Sequence, residues 1–100
     1  MRITEVRVSL RDDAKLKAFV SITLDDAFVV RGLKIIQGKD RHPFVAMPSR
    51  KKKDGEYQDI AHPISQEMRQ EMERVILQEY EREKARAKAA EELPKVPEPG

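Results

Sequence analysis

The order of apolar and polar residues predicts strands first and a helix last. Thr4, Val6, Val8 and Leu10 alternate with Glu5, Arg7 and Ser9, the period of a half-buried strand. Arg11-Asp12-Asp13-Ala14 is a polar turn. Leu16, Ala18, Val20, Ile22 and Leu24 then alternate with Lys17, Phe19, Ser21 and Thr23, the clearest strand pattern in the chain. Two such runs joined by a short loop predict an antiparallel hairpin.

Asp25-Asp26 is the next turn. Beyond it Ala27-Phe28-Val29-Val30 and Leu33-Lys34-Ile35-Ile36 flank Gly32, and apolar residues fall on both faces. Either this strand is central and covered on both sides, or Gly32 marks a bulge that shifts the register. Both readings assign the segment to the core. Gln37 to Pro43 is a polar loop, Phe44-Val45-Ala46-Met47 a short strand ended by Pro48, and Ser49 to Gly55 a charged loop with Asp54-Gly55 as its turn. Glu56 to Ala61 returns as a short edge strand, with Tyr57 and Ile60 expected inside.

Ser65 is a suitable N-cap, and Glu67 suits the positive end of a helix dipole. Met68, Met72, Val75, Ile76 and Tyr80 then form one helical stripe, placed to lie on the apolar face of the sheet. After Tyr80 only alanines and charges remain up to Glu92, with Glu79/Arg82, Glu81/Lys84 and Glu83/Arg86 at the spacing of helical ion pairs. The domain reading is therefore a folded body over 1–80, a solvent-exposed charged helical extension over 81–92, and a proline-rich disordered tail over 93–100. The fold class is α+β: an antiparallel sheet of four to five strands with one long C-terminal helix.

Composition changes this picture in two ways. The 100 residues include no cysteine, which removes disulfides, thiolate zinc sites and thiol nucleophiles from consideration and suits a reducing cytoplasm. No run approaches a membrane span, and MRITEVRVSL lacks the apolar core of a secretion signal. A cytoplasmic location is expected. The net charge of +2 is unevenly spread: +2 over residues 1–24, +2 over 25–64 and −2 over 65–100. A basic body with an acidic tail points to an anionic partner.

Catalytic chemistry is poorly represented. His42 and His62 each precede a proline, a strand-end or turn signal, and neither Ser49 nor Ser65 sits in a nucleophile motif. Asp25-Asp26 reads as a turn rather than a cation site, and the four glycines build no phosphate loop. No enzyme, cofactor or metal is expected. The feature that stands out is Arg50-Lys51-Lys52-Lys53, four consecutive cations, with Lys39 and Arg41 in the preceding loop. Such density neutralises phosphates and releases counterions. It equally serves to keep a sheet edge soluble, and Asp54, Glu56 and Asp59 dilute it. Arg69, one turn into the helix, is a further candidate contact. Phe19 is the one phenylalanine on the polar side of its strand, where it could stack a base or meet a second subunit.

Ser21-Ile22-Thr23-Leu24-Asp25, Phe28-Val29-Val30, Phe44-Val45-Ala46-Met47-Pro48-Ser49 and Asp59-Ile60-Ala61-His62-Pro63-Ile64 together resemble the SpoVG family, that of the bacterial stage V sporulation protein G, from about residue 1 to Tyr80. The resemblance implies a small cytoplasmic protein with an antiparallel sheet and a C-terminal helix, dimeric through strand pairing. It implies links to septation, cell division and sporulation, and regulation through DNA and/or RNA binding. By position the contacts would be Arg50, Lys51, Lys52, Lys53 and Arg69. Many family members carry a lysine near the position of Glu71 and a His-Asp pair in place of Arg31-Gly32, so this chain's helix is less basic and the loop carries more of the expected contact. The alternative is a protein-interaction module that acts in septation without touching nucleic acid.

Overall fold

Turn chemistry and three register irregularities, at Ile3–Glu5, Leu16–Ala18 and Val20–Ile22, set the pairing of the sheet. The structure is a computed structural model describing residues 1–92; the expected disorder of 93–100 lies outside the described residues. Strands β1 (Ile3–Leu10), β2 (Leu16–Leu24), β3 (Phe28–Ile36) and β4 (Phe44–Ala46) form an antiparallel sheet in the order β1-β2-β3-β4. β5 (Ser49–Lys51) and β6 (Tyr57–Asp59) form a separate two-stranded ribbon, and α1 runs Gln66–Glu92. The architecture is the α+β class read from the sequence, with the expected strands divided between two sheets.

The β2–β3 turn forms where Asp25 and Asp26 both take positive φ, 51° and 53°, and Ala27 N donates to Leu24 O at 2.9 Å. Positive φ at both central residues matches the right-handed twist of the strands it joins. The N-terminal strand clasps this turn: Arg2 N donates to Asp25 Oδ1 at 2.9 Å, and Asp26 N donates to Thr4 Oγ1 at 3.0 Å.

Gly32 resolves the broken alternation of β3. Val20 pairs with Leu33 and Ile22 with Val30, so Arg31 and Gly32 together stand opposite Ser21. This is a β-bulge, with Gly32 at φ +85°. The extra residue lets Val30 and Leu33 both face the core although they are three apart. Val29 on the opposite face of β3 and Phe44 on β4 are exposed rather than buried, and Phe28, at the turn end of the core-facing side beside Leu24, is exposed as well. Their apolar sequence context marked them as core, but Phe28 adjoins the turn and Phe44 pairs with Ile36 on the outer face.

The core gathers Ala18, Val20, Ile22 and Leu24 of β2, Leu33 and Ile35 of β3, Val45 and Met47, and Met72, Ile76 and Tyr80 of α1. Ser65 caps α1, its Oγ accepting from Met68 N at 3.1 Å. Four of the five expected stripe residues meet the core; Val75 is only half-buried, and Leu77 packs there in its place. The three expected ion pairs form, Arg82–Glu79 at 3.4 Å, Lys84–Glu81 at 3.3 Å and Arg86–Glu83 at 2.8 Å. Their cations are exposed, so each pair contributes only about 0.2–1 kcal/mol.

Candidate nucleic-acid interface

The basic run belongs to a ribbon that stands clear of the core. Ser49 pairs with Asp59, Arg50 with Gln58 and Lys51 with Tyr57, so half of the expected loop is strand. Lys52 to Gly55 makes the turn: Gly55 N donates to Lys52 O at 3.0 Å, Lys52 N to Glu56 O at 2.7 Å, and Asp54 Oδ1 accepts from Glu56 N at 2.9 Å. Gly55 takes φ +91°, which the Asp-Gly turn requires. Arg50 to Lys53 are all exposed.

Alternation along β5 sends Arg50 and Lys51 to opposite faces of the ribbon, while Lys52 and Lys53 occupy its tip. Three acids dilute the four cations between Ser49 and Asp59. Of these, Asp54 approaches Lys52 Nζ at 4.0 Å, an exposed pair of little strength. Arg69 lies on the first turn of α1, exposed, and its side chain has no hydrogen bond or ion pair to the ribbon among the described residues. The ribbon thus unites four of the five candidate contacts and leaves the fifth apart.

Tyr57 and Ile60, expected inside, are 70% and 67% exposed, and Ile64 is 94% exposed. Among the described residues the ribbon pairs only with itself, and no layer covers Tyr57 or Ile60. Its root is nonetheless anchored: Ile60 N donates to Pro48 O at 2.7 Å, tying the two chain crossings together. Beside this root an apolar cleft opens between the sheet and α1, lined by Leu24, Val30, Met47, Pro63 and Met68.

A second cationic surface, which strand-by-strand reading did not reveal, lies on the sheet face away from the core. Arg7, Arg11, Arg31 and Phe19 converge there. The Arg11 guanidinium sits 5.0 Å from the Phe19 ring centroid. Arg7 bonds to Glu5, and that contact raises its pKa. The signal that could have found it is the hairpin register, which sets Ser9 beside Phe19 and Arg7 beside Ser21.

A four-stranded antiparallel sheet backed by one long helix, with a basic ribbon projecting from it, defines a small α+β domain with cationic surfaces. The SpoVG family model matches residues 1–82, and the chain belongs to the SpoVG family. It is similar to the "Putative septation protein SpoVG" of Anaeromyxobacter sp. (strain Fw109-5), 58% identical over 83% of this chain and 84% of that protein. The proteins of the same name from Myxococcus xanthus and Bdellovibrio bacteriovorus are each 55% identical, over 89% and 83% of this chain and 89% and 76% of theirs. The strings that carry the resemblance, Phe44 to Ser49 and Asp59 to Ile64, are the two crossings joined at the ribbon's root. No helix among the described residues is long and apolar enough to cross a membrane.

Proposed function

We propose that this protein is a cytoplasmic, homodimeric regulator that binds DNA and/or RNA and acts in septation, cell division or sporulation. The observation that carries the reading is the exposed ribbon bearing Arg50, Lys51, Lys52 and Lys53. The septation part is drawn from the name its relatives bear. Binding is electrostatic: the ribbon's cations, with Arg69 as a separate contact, neutralise phosphates and release their counterions. Asp54, Glu56 and Asp59 moderate the affinity.

The test is a titration of duplex DNA and of RNA against salt, for the wild type and for K51A/K52A/K53A. If all three lysines meet phosphates of duplex DNA, their loss flattens the log K against log salt slope by roughly 3. An unchanged affinity and slope would refute the ribbon as the contact.

The dimer draws support from Tyr57, Ile60 and Ile64, three large apolar side chains left exposed within eight residues of chain running from β6 towards α1, a density of exposed apolar side chains that suits an association site. Among the described residues β1 also offers an unpaired strand edge eight residues long. Sedimentation that finds only the 11.6 kDa monomer at high concentration would refute it. The same apolar side chains favour the competing reading of a protein-interaction module in septation. Failure of the wild type to bind DNA or RNA at low salt would select that reading.

A further inference from the structure

The outer face of the four-stranded sheet has the chemistry of a site for single-stranded nucleic acid. Two adjoining hollows lie on it. One is bounded by Phe19, Arg11 and Ser9, the other by Glu5, Thr23 and Val29, and both share Arg7, Ser21 and Arg31. Arg7 and Arg31 flank Ser21 from the two neighbouring strands, roughly 10 Å apart at the backbone. The bulge at Gly32 places Arg31 in this row, and Lys34 pairs directly with Phe19 in the next. Four cations thus border the hollows, against one carboxylate on the strands, Glu5, which Arg7 already engages. The β1–β2 turn at the rim adds Asp12 and Asp13, matched by Lys15 and Lys17.

Concentrating like charges on one open face is unfavourable unless an anion meets them. A small, strongly hydrated inorganic anion would have no use for the phenyl ring in their midst. A nucleotide strand uses both. The geometry points to this face as a single-strand binding platform: one base stacks on Phe19 in place of the Arg11 guanidinium that lies over its ring, freeing Arg11 for a phosphate, and further phosphates lie along the Arg7–Ser21–Arg31 row. Phe19 is 37% exposed, and base–aromatic stacking tolerates any sequence. The Ser9 and Ser21 hydroxyls stand where they can bond a base edge or a ribose. A flat sheet face of this kind suits unstacked bases and not a duplex groove. This inference rests on the nucleic-acid reading above and adds a second, structurally separate contact to the ribbon. The two approach each other at one point: a Cβ placed on Gly32 would stand 3.7 Å from Pro48 Cβ, at the ribbon's root.

The chain has no tryptophan, so Phe19→Trp creates a single reporter at the proposed stack. Titrating this variant with a thymidine oligonucleotide should quench its indole fluorescence and keep the affinity. Phe19→Leu, which retains an apolar side chain without a ring, should weaken single-strand binding by roughly fivefold or more and leave duplex binding unchanged. Arg7→Ala/Arg31→Ala should weaken it further and flatten its salt slope by roughly 1.4. Absence of quenching together with wild-type single-strand affinity in Phe19→Leu overturns the platform. If K51A/K52A/K53A then still abolishes binding, the ribbon reading survives alone. A wild type that binds no nucleic acid removes both. Conversion of a dimer to monomer by Phe19→Leu would make this face the contact between two copies of the chain, which also overturns the proposal.

Discussion

Replacing Gly32 tests whether the bulge is held by backbone conformation or by the space around it. Its φ of +85° lies where a side chain crowds its own carbonyl, at a cost of about 1–2 kcal/mol for alanine. Space is not the limit, because the added Cβ would meet Pro48 Cβ at an ordinary 3.7 Å. Gly32→Ala should therefore lose about 1–2 kcal/mol, and Gly32→Asn less, since asparagine enters the left-handed region more readily. A valine there should lose more than alanine. Gly38→Ala is the control: its φ is not positive and its added Cβ would meet only the flexible Arg41 side chain at 3.6 Å. It should stay within about 0.5 kcal/mol of wild type. Urea unfolding followed by circular dichroism measures the series, at one protein concentration because a dimer's stability depends on it. Equal costs for Gly32→Ala and Gly38→Ala would refute the backbone argument. A larger cost for asparagine than for alanine would instead locate the penalty in crowding against Pro48.

Two further variants probe how α1 is held. Ile76 is fully buried between Met72 and Tyr80 on one helical face, so Ile76→Ala should cost about 2–5 kcal/mol by urea unfolding, while Val75→Ala, at a half-buried position, should cost clearly less. Ser65→Ala removes the acceptor for Met68 N and should cost about 1 kcal/mol, read in the same assay, with Ser65→Asp recovering most of it.

Strand alternation was legible wherever one face of the sheet is buried and the other open. β2, and β1 from Val6 onward, follow it because α1 covers only one side, whereas the irregularity between Ile3 and Glu5 turns Ile3 and not Thr4 toward the core. β3 was ambiguous because the bulge changes which parity faces inward, and the apolar character of Phe28 and Val29 concealed that change. Gly32 was the visible sign, but a glycine alone does not distinguish a bulge from a doubly covered strand. The ribbon was misread for a different reason. Tyr57 and Ile60 have the character of buried strand residues, and no local pattern reveals that β5 and β6 pair only with each other. The basic run itself was fully legible, since four adjacent cations are a property of the chain. Arg7, Arg11, Arg31 and Phe19 come together only through cross-strand register, which is a property of the fold.

The distribution of chemistry along one excursion of the chain bears on how the ribbon would act. Between Pro48 and Ser65, cations occupy the tip and exposed apolar side chains occupy the return arm and the approach to α1. A monomer gains nothing in stability from Tyr57, Ile60 and Ile64 in water. If a second copy covers them, the same contact that buries them fixes the position of two basic tips relative to each other. Two weak electrostatic contacts held at a set spacing act as one bivalent contact, whose gain depends on whether the nucleic acid can reach both at once. That offsets the dilution by Asp54, Glu56 and Asp59, which would leave a single ribbon with only modest affinity. Association and nucleic-acid binding are then two uses of one element: the apolar arm sets the geometry and the basic tip supplies the attraction.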